Sequence, residues 1–288
     1  MCHKGGVGKT TTTVEMGDCL ASLFPKKKIL ILDADEQSNL KTVFGLKLRS
    51  AEGGLASILL EDMNPEHVKI SVRSNIDIIL SGGRMMRDFD KKYSNTPGAD
   101  LMLKHRLEHI NNYDYILIDS PPALSLISSN IAHYADYIVI PCTPELLAIV
   151  GVKNTIAFFD NLENSYRNRE VHLAKILGIV PTVHDSRRLI DVTIIEDLNR
   201  MEENNLTRGG VIFKPIRSDI KIKTAQIKRK LLLESFPSCK AAEDFKNLAN
   251  DILNQIKIDQ RKQQTDSTIN LQITKNESSI LTEHSPIV

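Results

Sequence analysis

Long apolar runs are missing from this sequence. None reaches 18 residues and no charged-then-apolar leader opens it, so neither membrane spanning nor secretion is expected. Cysteine is sparse: Cys2, Cys19, Cys142 and Cys239 are scattered and match no zinc or disulfide spacing. Beside the nucleotide-type motif described below, they fit a reducing cytosol. A surplus of either charge is lacking too. The formal net charge is +1, so nothing global demands nucleic acid or a membrane, and any DNA-binding surface has to be a local patch. No internal repeat is visible, and no N-K-x-D-type element, the usual source of guanine specificity, stands in a suitable place. What is present is 288 residues, 41% of them apolar, enough for one large α/β domain or two small ones.

The organising stretch comes first. Lys4-Gly5-Gly6-Val7-Gly8-Lys9-Thr10-Thr11 fits a G-x-x-x-x-G-K-[ST] pattern only when it is relaxed to do without the first glycine, with Lys4 at the start of the loop. Three glycines let the backbone curl around an anion with its N–H groups inward. Lys9 is placed to reach β/γ-phosphates, the Thr10 hydroxyl to bind Mg²⁺, and the helix expected from Thr10 to Phe24 adds its positive end. The plain alternative is a glycine-rich turn with surface lysines. A P-loop normally follows a strand, yet only three residues precede Lys4, so the fold is expected without its first strand.

The continuous apolar run Ile29-Leu30-Ile31-Leu32 reads as a strand buried on both faces, and it delivers Asp33 and Asp35 to its carboxyl end. Asp35 could instead cap the next helix. Further strands are expected over 75–80, within 113–122 up to Asp119, and over 137–142, 175–180 and 211–216, with helices over 99–110 and 186–201, another containing Leu146 and Val150, and a terminal one over 241–256. Residues 84–95 read as a charged, irregular crossover. Strands separated by helices give a three-layer, doubly wound, mostly parallel α/β sheet. The strand ending at Asp119 places that carboxylate where a Walker-B aspartate holds Mg²⁺. Thr10, Asp119 and a carboxylate at Asp33 or Asp35 then form a Mg-nucleoside-triphosphate site, with ATP preferred over GTP. Asp35 is the candidate for orienting the hydrolytic water and Asp33 for tuning the metal shell.

Later in the chain, Arg217, Lys221, Lys223, Lys228, Arg229 and Lys230 form the strongest basic cluster. It is either a phosphate-backbone surface or an ordinary solvated helix face. The expected organisation is an ATPase domain over 1–257 and a polar, disordered tail over 258–288.

The first motif, the Asp33-Ala34-Asp35-Glu36-Gln37 segment and Ile118-Asp119-Ser120-Pro121-Pro122 together resemble the ParA/MinD family of P-loop ATPases, in particular its plasmid and chromosome partition members. The resemblance continues through Pro141-Cys142-Thr143-Pro144-Glu145 to about residue 256. It implies an ATP-driven sandwich homodimer in which Lys4 reaches the partner's nucleotide, Lys9 serves its own site, Thr10 the magnesium and Asp35 the water. It also implies non-specific binding of double-stranded DNA in the region of Lys221, Lys223, Lys228, Arg229 and Lys230. A ParB-like centromere-binding partner would stimulate otherwise slow hydrolysis, at the nucleoid in the cytoplasm. Glu36 stands where the family usually has proline, and Lys228-Arg229-Lys230 where it has glycine and aromatic features. Two other readings are a MinD-like membrane-cycling ATPase, which would want an amphipathic, basic C-terminal end, and a non-catalytic, nucleotide-dependent regulatory DNA-binding module.

Overall fold

The computed structural model describes residue 1 and residues 5–46, 53–145, 147–167 and 169–282, with side chains through residue 265. Helix α1 (Lys9–Leu23) starts directly from the glycine-rich loop and ends two residues before Pro25. Val14 and Leu20 are buried as the apolar spacing requires, whereas Leu23, expected inward, is 41% exposed. Strand β1 (Ile29–Asp33) is buried along its whole length. Each aliphatic side chain there contributes roughly 1.5–3 kcal/mol on burial. Gly17 permits the close approach of α1 to this strand, since an added Cβ would stand 2.7 Å from Ile31 Cδ1.

Short helices α2 (Asn39–Val43), α3 (Leu55–Glu61) and α4 (Pro65–Val68) lead into a hairpin of β2 (Lys69–Arg73) and β3 (Ile76–Ile79). Strand β2 pairs antiparallel with β3, a pairing outside the expected parallel set. Its sequence Lys-Ile-Ser-Val-Arg alternates, as suits an edge with one wet face. Residues 84–95, expected irregular, contain helix α5 (Arg84–Tyr93). Met86 and Phe89, three apart, are buried on one of its faces, and the charged residues that hid the pattern lie around the remainder.

The expected 99–110 helix is a 3-10 turn (Ala99–Leu101) followed by α6 (Met102–Leu107). Then come β4 (Tyr115–Asp119), α7 (Leu126–Tyr134), β5 (Tyr137–Cys142), α8 (Ala148–Ser165), β6 (Lys175–Pro181) and α9 (Leu189–Glu203). Leu146 lies outside the described residues. Strand β7 is only Val211–Ile212, shorter than the expected 211–216, because Pro215 has no N–H for the ladder. Helices α10 (Ile220–Ile227) and α11 (Leu232–Ser235) precede α12 (Lys240–Thr282). Where composition predicts disorder from residue 258, the helix continues, through a stretch with neither glycine nor proline.

The strands form two sheets, one in the order β2-β3-β1-β4 and one in the order β5-β6-β7. All pairings other than β2–β3 are parallel. Among the described residues no strand precedes the glycine-rich loop. One apolar core draws on both sheets, with Leu30 and Leu32 from one and Ile140 and Ile179 from the other. By compactness the chain divides into Met1–Ala249 and Asn250–Val288.

Candidate nucleotide site

The glycine-rich loop lies at the carboxyl ends of the parallel strands, where an open α/β sheet places its ligands. Gly8 is the N-cap of α1 in the left-handed conformation, φ 79 and ψ 19. A residue with a Cβ is strained there, so glycine is the physical requirement at this turn. Gly6 has φ 75, and a Cβ added to Gly5 or Gly6 would meet nothing within 4 Å. Among the described residues, the loop's glycine side is open.

Three bonds from distant elements hold the loop. Thr10 Oγ1 donates to Asp119 Oδ2 at 2.6 Å. Thr182 Oγ1 donates to the Val7 carbonyl at 2.9 Å. Gln226 Nε2 donates to Thr11 Oγ1 at 3.0 Å. The amino group of Met1 adds a fourth anchor nearby, donating to Val139 O of β5 at 2.8 Å.

Asp33 and Asp119 end adjacent parallel strands and are register partners in the ladder. Both are at most 1% exposed. Asp33 Oδ2 and Asp119 Oδ1 are buried without a hydrogen-bond partner. Burial pushes the Asp33 carboxyl up to about 8, the Asp119 charge pushes the same way, and the Asp35 N–H donated to it works against both. Burial likewise lifts Asp119, to about 6, against the Thr10 hydroxyl, with Asp35 adding to the rise and Lys9 lowering it. Two buried carboxylates side by side resist joint ionisation unless a cation joins them. Orphaned oxygens of this kind, beside a hydroxyl, form an oxygen-only donor set that fits a hard divalent cation. Among the described residues no three His, Cys, Asp or Glu side chains converge on a metal by themselves, so a cation here needs Thr10 and outside oxygens.

Asp35 is 7% exposed and stands at the same strand end. Its Oδ1 accepts the Gln37 N–H at 3.0 Å and its carbonyl accepts the Ser38 N–H at 2.9 Å. The carboxylate thus turns its own loop and precedes α2 by several residues instead of capping it. Glu36 is held by Arg87 of α5 through two bonds, Nε–Oε2 at 2.7 Å and Nη2–Oε1 at 2.8 Å. Cys2, His3 and Lys4 lie outside the described residues. Cys19, Cys142 and Cys239 are buried.

The basic cluster separates into two parts. Arg217 is engaged by Asp244 through three bonds of 2.6–3.1 Å, so it acts as a structural clamp. Lys221, Lys223, Lys228, Arg229 and Lys230 are all exposed, on α10 and the turn after it. Lys230 pairs with Glu234 at 3.0 Å and Lys228 lies 5.3 Å over the Phe236 ring. Arg229 bends the turn with φ 54. This segment is tied to α1 twice, by the Gln226–Thr11 bond and by buried Glu15, whose two carboxylate oxygens accept the Leu232 N–H at 3.2 and 3.1 Å. Burial raises Glu15 to about 8 despite that N–H, with Asp18 adding to the rise and Arg73 opposing it.

Sequence reasoning misses Thr182, Gln226 and Glu15. The only local signal was for Thr182, a polar residue directly after a buried strand, the position from which β1 and β4 also present theirs.

An AAA domain family model matches residues 1–173. The sporulation initiation inhibitor protein Soj of Bacillus subtilis is 29% identical over 260 residues, which is 87% of this chain and 95% of that protein. The virulence plasmid ParA family protein pGP5-D of Chlamydia psittaci is 28% identical over 261 residues, covering 90% and 94%. Among solved structures, apo McdA of Cyanthece superposes with a TM-score of 0.76 at 24% identity, over 88% of this chain and 96% of that one. No helix among the described residues is long and apolar enough to cross a membrane. A glycine loop closed by Thr10 on Asp119, on a helix-flanked mixed sheet, and these full-length similarities give one answer: the chain belongs to the AAA-domain family so matched, as a partition-type member of the ParA/MinD P-loop ATPases.

Proposed function

We propose that this chain is an ATP-dependent DNA-partition ATPase. In the ATP state two copies form a sandwich dimer that binds double-stranded DNA non-specifically. A ParB-like, centromere-bound partner stimulates hydrolysis and so releases the ATPase. Repeated cycles segregate a plasmid or chromosome, at the nucleoid in the cytoplasm. The observation that carries the reading is the Thr10–Asp119 contact under the glycine loop, with unpartnered buried oxygens on Asp33 and Asp119 beside it. The name of the chlamydial relative, a virulence plasmid ParA family protein, supports the partition role.

The backbone N–H groups of residues Gly5 to Thr11 receive the phosphates, and Lys9 offsets their charge. Thr10, Asp119 and Asp33 are the residues that would hold Mg²⁺, which when bound neutralises charge on the phosphate oxygens. Asp35 orients the attacking water, its own position fixed by its N–H to Asp33 and its carboxylate to Gln37. Lys4 reaches across to the partner's nucleotide. Lys221, Lys223, Lys228, Arg229 and Lys230 meet DNA phosphates without reading bases.

The test is steady-state ATP turnover by the full chain, with and without duplex DNA and the ParB-like protein encoded beside it. Lys4→Gln and Asp35→Ala serve as controls. Turnover is expected to rise only when DNA and partner are both present, and both controls remove that rise. Absence of nucleotide binding sinks the reading. ATP-dependent DNA binding with no stimulated turnover makes the chain the regulatory module instead.

A further inference from the structure

The orientation of one peptide group in the glycine loop is set from outside the loop. Val7 is buried, and its carbonyl accepts from Thr182 Oγ1 at 2.9 Å. Thr182 directly follows β6 and is 3% exposed, so water does not compete for that bond. The same hydroxyl also lies within hydrogen-bond distance of Cys142 O, at 3.2 Å, a carbonyl that accepts the Thr182 N–H at 2.7 Å. The Val7 carbonyl is the nearer of the two acceptors, and the one for which this hydroxyl is the donor.

A trans peptide is planar, with its C=O and N–H on opposite sides. The described chain contains no cis peptide. Fixing the Val7 carbonyl toward Thr182 thus fixes the Gly8 N–H in the opposite direction, away from β6. Gly8 itself is left-handed, the conformation in which successive N–H groups turn toward a common anion. Thr182 also forms the wall behind this turn, since a Cβ added to Gly8 would lie 3.7 Å from Thr182 Cβ. The Gly8 carbonyl is engaged as well, accepting the Thr12 N–H at 2.8 Å, so neither peptide plane flanking Gly8 is free to flip.

We propose that Thr182 is a positioning residue for phosphate binding: its hydroxyl, through the Val7 carbonyl, aims the Gly8 N–H at the nucleotide phosphates. The inference rests on the nucleotide reading above. Removing the hydroxyl leaves the Val7 carbonyl buried without its donor, and the peptide plane gains the freedom to rotate. The cost falls on ligand affinity, because the misoriented N–H is a phosphate donor.

The experiment compares full-length wild type, Thr182→Val and Thr182→Ser by calorimetric titration with ATP and Mg²⁺, alongside thermal melts without nucleotide. Thr182→Ala replaces the valine variant if that one does not fold. Thr182→Val is expected to bind ATP about tenfold more weakly, and Thr182→Ser within about threefold of wild type. The nucleotide-free melting temperature of Thr182→Val should fall by about 2–4 °C, the cost of a buried carbonyl without its donor, while that of Thr182→Ser should stay within about 2 °C of wild type. ATP affinity in Thr182→Val equal to wild type overturns the inference, and so does an equal loss in the folded serine variant. Failure of wild type itself to bind ATP overturns the nucleotide reading instead, so the two failures are distinct.

Discussion

The glycine loop and the basic turn after α10 stand at either end of a short structural connection, yet they are built on opposite principles. At the loop, three side-chain hydrogen bonds from β4, the end of β6 and α10 meet within six residues. Its carboxylate neighbours are almost fully buried. At the turn, Lys228, Arg229 and Lys230 are exposed, and their partners, a glutamate and an aromatic ring, are surface contacts too. The first region depends on exact placement in a medium of low dielectric, where an unmet charge is costly. The second depends on the number of positive charges within reach of a polyanion, and it tolerates imprecise placement.

That contrast can be broken or sharpened by mutation. The largest effect is expected at the loop. Lys9→Ala should weaken ATP binding by about 100-fold or more, read by calorimetry, because it removes the ammonium that offsets phosphate charge at its own site. Next, Asp35→Ala should slow single-turnover hydrolysis by about 100-fold while ATP affinity stays within about threefold, the signature of a group acting on water alone. If ATP affinity falls as much as the rate, Asp35 is structural.

The basic turn should respond more gently. Changing Lys228, Arg229 and Lys230 together to alanine is expected to weaken duplex binding by about 10- to 100-fold at low salt, equally for unrelated sequences. The slope of log affinity against log salt should fall by about 2, less than three full contacts would give, because Lys230 is already partnered by Glu234. A loss confined to one DNA sequence would contradict a patch that counts charge. DNA-independent ATP turnover should not change.

The smallest effect concerns the strut between the two regions. Glu15 holds its proton in the folded protein up to about 8, against 4.5 as its ordinary value. The stability this gives is complete below the ordinary value and is lost as pH rises through the folded value. Glu15→Gln keeps an acceptor for the Leu232 N–H without an ionisable group. Between pH 5 and pH 8 the wild-type melting temperature should therefore fall several degrees more than that of the variant. Equal slopes would show that Glu15 is ionised in the fold.

The same contrast explains what the sequence made legible. The loop, β1 and β4 announce themselves because their signals are local: glycines at fixed offsets, and unbroken apolar runs ending in aspartate. Helix α5 stayed hidden because charged residues surround its two buried side chains, Met86 and Phe89. Strand β2 stayed hidden because an alternating five-residue edge carries little apolar weight. The bonds that hold the loop join residues 109, 175 and 215 positions apart. No local pattern encodes a partner at such a distance, and only the closed fold brings them together. The basic cluster was legible as charge, but the removal of Arg217 from it by Asp244 was not.

The division of the strands into two sheets has a mechanical consequence. Among the described residues no ladder joins β4 to β5, so the four-stranded and three-stranded sheets share side-chain packing and no row of backbone bonds. Apolar packing holds the two together but, being non-directional, fixes no backbone register between them. The glycine loop crosses this seam, fastened to the first sheet at Asp119 and, through Thr182, to the end of the second. The loop therefore supplies, at the phosphate-binding end, the directional bonds between the two sheets that their shared packing lacks.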